Sequence, residues 1–237
     1  KAQAAGFDGK DIIFGGVGKT EEELRAAIAA KVMLINVESE AEIRLLNDIA
    51  GQMKAKAPVG IRVNPELNLH AAHDYIKTGG KGHKFGIPYD EALDVAQAAA
   101  RLPHIRLVGL DMHLGSQLSR IEPYKIGAER LLELHKALRE SGVTTIKYLD
   151  IGGGLGVGYD DEKPPDLQRF AKMVLPLVES TGLTLIMEPG RFIIGNAGAL
   201  VGQVLYRKAS GGKDYVIADI GMTELLRPSH YGAFHRI

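Results

Sequence analysis

Ile146-Lys147-Tyr148-Leu149-Asp150-Ile151-Gly152-Gly153-Gly154 runs from a sheet-like lead into three glycines, and Leu183-Thr184-Leu185-Ile186-Met187-Glu188-Pro189-Gly190-Arg191 repeats the plan with an acid and a base at its end. Both endings sit at the far end of a strand, and in a parallel barrel or sheet that is the face on which sites are built. Working outward, Ile12 to Phe14, Met33 to Val37, Val59 to Val63 and Ile105 to Met112 read as four further strands. Amphipathic helices alternate with them: Glu21 to Ala30 behind a Thr20/Glu23 capping box, a helix capped by Ser39 and Glu42, Asp90 to Ala100, Ile126 to Arg139, and Leu167 to Glu179. This alternation predicts an α/β barrel or doubly wound sheet. After Arg191 the pattern turns β-rich, with Leu200 to Tyr206 and Tyr215 to Ala218 separated by a turn at Ser210-Gly211-Gly212. The expected division is a barrel part over residues 1–195 and the opening of a β-domain over 196–237.

The 237 residues, 45% of them apolar and 24% charged, suit a globular protein with a sizeable core. With 29 basic and 29 acidic residues there is no overall positive field for nucleic acid or an acidic membrane. Cysteine is absent, which removes thiolate nucleophiles, disulfides and cysteine-ligated zinc from the chain and fits a cytoplasmic protein. No apolar run approaches the roughly 18 residues a membrane span needs. The start at Lys1-Ala2-Gln3 is neither a signal peptide nor an initiator methionine, and it reads as the interior of a longer protein.

Three motifs argue for chemistry that the chain does not complete. Gly16-Val17-Gly18-Lys19-Thr20 ends like a phosphate-binding loop, but the required leading glycine is replaced by Ile13, so a plain strand-to-helix turn with an exposed lysine is expected. His70, His73 and Asp74 lack a zinc-binding helix, and His83 is too distant in sequence to complete a set. Ser116 in Leu114-Gly115-Ser116-Gln117-Leu118 is not in a nucleophile elbow and reads as a ligand donor. The segment from Glu66 to Gly86 is long and polar, as functional or mobile loops are.

The positive case rests on strand ends. His113 and Ser116 follow one strand directly, Gly152, Gly153 and Gly154 can offer backbone N–H groups to an anion, Glu188 can stabilise a ring-nitrogen cation, and Arg191 can grip a phosphate or carboxylate. The plainer alternative is a tight glycine turn with Glu188 paired to Arg191.

The ordered set Asn64-Pro65, Lys84-Phe85-Gly86, His113 to Leu118, Asp150 to Gly154, Glu188 to Arg191 and Arg227-Pro228-Ser229-His230-Tyr231 resembles the diaminopimelate decarboxylase family. These are pyridoxal-phosphate enzymes with an alanine-racemase-like barrel, related to ornithine and arginine decarboxylases. The resemblance runs over nearly the whole chain, including Gly16 to Thr20 and Asn36-Val37-Glu38-Ser39. It implies a TIM-type (β/α)8 barrel, here lacking its first strands, followed by the start of a C-terminal β-domain. It also implies a homodimer with shared sites, pyridoxal 5'-phosphate as cofactor, and conversion of meso-2,6-diaminopimelate to L-lysine and CO2.

By that resemblance His113 would stack on the cofactor ring and Glu188 would pair with its nitrogen. Ser116, Gly152 to Gly154, Gly190 and Arg191 would surround its phosphate, and Arg191, Arg227 and Tyr231 would recognise substrate. No metal is implied. The family's anchoring lysine precedes the first strand read here, and neither Lys19 nor Lys84 stands in its context; its downstream cysteine motif is missing too. His83 occupies a position where serine is common in the family. The isolated chain is therefore expected to be inactive and to have unpaired strand edges. A related ornithine- or arginine-type decarboxylase and a catalytically silent binding homologue remain as alternatives.

Overall fold

The computed structural model describes residues 1–67, 82–160 and 163–237. His70, His73, Asp74 and most of the long polar segment lie outside the described residues. Six parallel strands form one open sheet in the order β1 (Ile13–Phe14), β2 (Leu34–Val37), β3 (Ala57–Asn64), β5 (Ile105–Asp111), β6 (Tyr148–Asp150), β7 (Thr184–Ile186). The short β4 (Ile87–Pro88) pairs with the end of β3. The result is a parallel half-barrel with β1 and β7 at its edges, in line with the α/β expectation.

Helices α1 (Glu21–Ala29), α2 (Glu40–Gln52), α3 (Ala92–Ala100), α4 (Glu122–Glu140) and α5 (Leu167–Glu179) cover one face of the sheet. Strand residues alternate between faces, and the apolar set Ile35, Val37, Val59, Ile61, Val63, Leu149 and Ile151 joins Leu24, Ile43, Leu46, Leu131 and Val174 of the helices in one core. The opposite face carries Leu34, Asn36, Gly60, Arg62, Gly109, Asp111 and Asp150. Its lower layer is closed by Leu34, whose methyls lie where a Cβ on Gly60 or Gly109 would approach to 3.2–3.4 Å. Its upper layer is polar. Parallel register sets Arg62 beside Asp111 and Asp111 beside Asp150, so charged side chains line up at the strand C-termini.

Helix α1 has its capping box: Thr20 Oγ1 accepts from Glu23 N at 3.2 Å, and Thr20 N donates to Glu23 Oε2 at 2.8 Å. At α2 Ser39 caps as expected, but Glu42 does not return to Ser39. Its carboxylate accepts from Glu38 N at 2.8 Å and from Lys19 Nζ at 2.6 Å. Lys19 is therefore not exposed, contrary to the sequence expectation. Its side chain is 2% accessible and also donates to Gly16 O at 2.6 Å, because the tight turn leads it inward between α1 and α2.

The β-rich tail is a hairpin of β8 (Val204–Ser210) and β9 (Lys213–Ala218), shifted from the expected Leu200 start. Gly211 and Gly212, at φ 59° and 76°, make a two-residue turn that pairs Ser210 with Lys213. Counting back from that turn, β9 runs out opposite Val204. Short helices α6 (Gly190–Ile194) and α7 (Arg227–Tyr231) have no periodic signal in so few residues.

Candidate functional site

The strand C-termini bring together three loops. The first follows β5, the second β6 and the third β7. Gly153 N donates to His113 Nδ1 at 3.2 Å, and Glu188 N donates to Gly152 O at 2.9 Å, so the imidazole, the glycine turn and the acid are joined by direct bonds. Leu118 N donates to Gly154 O at 2.9 Å and Gly156 N to Leu118 O at 3.0 Å, which pins the loop carrying Gly115 and Ser116 alongside. Tyr124, fully buried on α4, donates its hydroxyl to Gly153 O at 2.8 Å. Its hydroxyl pKa is driven above the ordinary tyrosine value by burial, so it stays a donor.

Crowding explains the three glycines. A Cβ on Gly152 would strike Met112 O, one on Gly153 would strike Glu188 O, and one on Gly154 would strike Gly115 O. Gly152 and Gly154 also have φ of 70° and 95°, where side-chain-bearing residues are strained. Two of the amides expected to face an anion are engaged internally, Gly152 with Asp150 Oδ1 at 2.9 Å and Gly153 with His113. Gly190 N donates to Glu188 O at 2.8 Å.

Gln117 ties the rim together. At φ 58° it donates from Nε2 to Val157 O at 2.5 Å, and its Oε1 accepts from Val157 N and from Arg191 Nη1, each at 3.2 Å. Arg191 thus turns to Gln117, and no Glu188–Arg191 ion pair occurs among the described residues. Arg227 and Tyr231 lie apart from this knot on α7. The Arg227 guanidinium stacks 4.5 Å from the Tyr159 ring and meets His235 Nε2 at 2.9 Å, while Tyr231 packs edge-on to His230 at 4.7 Å. Tyr159 belongs to the loop that follows the triple-glycine turn, so α7 docks next to the rim.

Below the rim sits a carboxylate group that motif reading only half disclosed. Asp111 and Asp150 are buried, and both titrate above the ordinary aspartate range. Burial is the largest cause for each; the neighbouring Asp150 charge adds to it for Asp111, and the Glu188 charge for Asp150, which is pushed up to about 7. Arg62 opposes this at Asp111, with Nε 4.0 Å from Oδ2. Burial first and the Arg62 charge second press His113 down to about 4, so its ring is neutral at physiological pH. The Asn36 amide reaches Asp150 Oδ2 at 3.5 Å, and its Oδ1 is a buried acceptor with no partner among the described residues. Glu38, Arg62, Asn36 and Asp111 were not singled out as site residues. The available signal was period-two polarity inside apolar strands, all on the face that turns from the helices.

No helix of the described residues is long and apolar enough to cross a membrane, and no group of three or more potential metal ligands occurs among them. The residues fit a flat, phosphate-bearing, nitrogen-containing ring: a neutral imidazole, an acidic residue bonded through its backbone to the same turn, and a Gly154 amide that neither Asp150 nor His113 takes up.

Comparison with known proteins agrees. The chain is 42% identical over 235 residues to a diaminopimelate decarboxylase of Haemophilus influenzae and 43% identical over 237 residues to that of Aquifex aeolicus. These matches cover 99% and 100% of this chain but 56% of each relative, so the chain spans about half the length of the curated relatives it matches. Among solved structures, diaminopimelate decarboxylase from Helicobacter pylori complexed with L-lysine superposes with a TM-score of 0.94 at 37% identity, over 99% of this chain and 59% of that one. Residues 1–195 match the family described as pyridoxal-dependent decarboxylase, pyridoxal binding domain, and the chain belongs to that family.

Proposed function

We propose that this chain is the cofactor-holding portion of a pyridoxal 5'-phosphate-dependent decarboxylase that converts meso-2,6-diaminopimelate to L-lysine and CO2. The observation that carries the reading is the bonded trio of His113, the Gly152–Gly154 turn and Glu188, set at the strand C-termini of a pyridoxal-binding half-barrel. Glu188 would hold the ring nitrogen in its protonated form by charge pairing. His113, neutral through burial and the Arg62 charge, can lie against a cationic ring without repulsion. Ser116, the Gly152 to Gly154 backbone, Gly190 and Arg191 would enclose the phosphate, with Gly154 the turn amide not already bonded to Asp150 or His113.

When bound, the cofactor supplies a sink for the electron pair left by departing CO2. The protein's part is to orient the ring, exclude water beneath it and present cations to the substrate carboxylates. Arg191, Arg227 and Tyr231 are the proposed substrate-recognising residues. A homodimer with shared sites and a cytoplasmic location complete the proposal. Lys19 is engaged by Glu42 and Lys84 Nζ sits 5.3 Å from the Phe85 ring centroid, so neither is proposed as the covalent anchor.

The test is cofactor titration of the full-length protein followed by substrate competition. Pyridoxal phosphate should bind with a visible absorption change that Glu188→Gln weakens by at least about tenfold, equivalent to about 1.4 kcal/mol. Turnover should require meso-diaminopimelate, and preference for ornithine or arginine would overturn the substrate assignment. A polypeptide of these 237 residues alone should yield no borohydride-trapped adduct by intact mass.

A further inference from the structure

We infer that Glu38 is a positioning residue, a two-handed clasp that fixes the Arg62 guanidinium and the Lys84-Phe85-Gly86 segment at the mouth of the half-barrel. It stands one residue beyond β2, on the face shared by Leu34 and Asn36, and its side chain is 2% accessible. Each carboxylate oxygen has its own donor. Oε1 accepts from Arg62 Nη1 at 2.6 Å and Oε2 from Gly86 N at 2.9 Å. Those donors come from β3 and from the chain just before β4, so one side chain joins three consecutive units of the fold.

The clasp is itself held from behind. Glu38 N donates to Glu42 Oε2 at 2.8 Å, and the other oxygen of Glu42 takes Lys19 Nζ at 2.6 Å. In front, the Phe85 ring centroid lies 5.1 Å from the Arg62 guanidinium carbon, so the cation is bracketed by a carboxylate and an aromatic face. Gly86 passes so close to β3 that a Cβ would come 2.9 Å from Asn64 N and 3.1 Å from Arg62 O, and its φ of 73° suits only glycine there. The segment can reach Glu38 only in this tight course.

The arrangement bears on the site because Arg62 is a cation set against its buried Asp111. The guanidinium Nε lies 4.0 Å from Asp111 Oδ2 on β5, and after burial its charge is the second cause that keeps His113, in the loop after β5, neutral. A guanidinium free to swing could close fully on Asp111 and leave its place beside His113. Held by Glu38, it stays in a long 4.0 Å pairing with Asp111, which tempers that acid and keeps the cation beside His113. The functional meaning rests on the pyridoxal reading, while the clasp can be observed without cofactor.

Residue-resolved hydrogen exchange of the full-length protein tests it. In the wild-type protein the Gly86 amide, though it lies outside any helix or strand, should exchange at least tenfold more slowly than that of Lys84. Glu38→Gln keeps one acceptor and places an amide donor against a donor, so Gly86 protection should fall about tenfold while Leu149 in β6 keeps its own. Pyridoxal phosphate affinity should drop several-fold in Glu38→Gln and further in Glu38→Ala. Gly86 exchanging as fast as Lys84 in the wild type, protection unchanged in Glu38→Gln, or equal loss at Gly86 and Leu149 would each overturn the clasp. A loosened Gly86 with wild-type cofactor affinity would overturn the positioning role. A wild-type protein that protects Gly86 yet never binds pyridoxal phosphate would support the clasp and defeat the proposed function instead.

Discussion

Two glycine-rich turns leave strands of the same sheet, and they are built for different ends. In Gly15-Gly16-Val17-Gly18, a Cβ added to any of the three glycines would meet nothing within 4 Å. In Gly152-Gly153-Gly154, each would collide with the backbone of a neighbouring strand end. The roomy turn looks like a phosphate loop in sequence, yet its lysine folds inward onto Glu42. The crowded turn lacks any lysine, and it is the one bonded to His113 and Glu188. A glycine run therefore marks close approach, and only the packing around it shows whether another part of the chain is what approaches.

Lys19 offers the sharpest way to break the comparison. If the roomy turn is structural, Lys19→Met leaves Glu42, 11% accessible, without its cation, and unfolding by urea should show a loss of about 3 kcal/mol. Adding Glu42→Gln, which keeps an acceptor for Glu38 N, should restore most of it. A Lys19→Met protein as stable as wild type but impaired in phosphate binding would reverse the assignment of the two turns. A smaller effect is expected from paired alanine substitutions. Gly153→Ala must push Glu188 away and should cost about 2 kcal/mol together with most cofactor affinity, whereas Gly18→Ala, in open space, should stay within about 0.5 kcal/mol. Equal costs at the two positions would mean that packing does not separate them.

The framework was legible because the main strands of the sheet are apolar runs and each of the helices α1 to α5 has a cap or a periodic face. Thr20, Ser39 and the Leu131/Leu134/Leu138 stripe lie where the pattern puts them. His113, Gly152–Gly154 and Glu188 were legible by position, since all end strands. What escaped was of two kinds. The fate of Lys19 depends on Glu42, 23 residues away, and a lysine after a turn carries no local mark of burial. Arg62 and Asp111 sit inside apolar strands, where one polar residue in alternation looks like ordinary solvent-facing patterning until register places them side by side. The hairpin's turn and its Ala218 end lie where the pattern puts them, but its first strand is displaced from Leu200–Tyr206 to Val204–Ser210 and its second begins at Lys213 instead of Tyr215, because the turn fixes register only once both partners are counted.

The smallest effect probes the acid that braces the crowded turn. Asp150 is fully buried and accepts from Gly152 N, and burial followed by the Glu188 charge raises its pKa to about 7. Because the folded protein holds this proton more tightly than the unfolded chain, stability declines as pH rises from about 4 to about 7 and is flat beyond. Asp150→Asn keeps an acceptor for Gly152 and carries no charge, and after rotation its new amide has the unpartnered Asn36 Oδ1 to meet. The variant should match wild type near pH 4 and gain on it steadily as pH rises to about 7, with no further gain beyond, in urea unfolding followed across pH. His113, with its pKa lowered, contributes the opposite slope below its ordinary value, since a buried neutral ring must be charged on acidification. That slope is common to both proteins and cancels in the difference. An Asp150→Asn protein less stable than wild type at pH 8 would mean that the ionised carboxylate is favoured beneath the turn, and that the two turns differ in crowding but not in electrostatic cost.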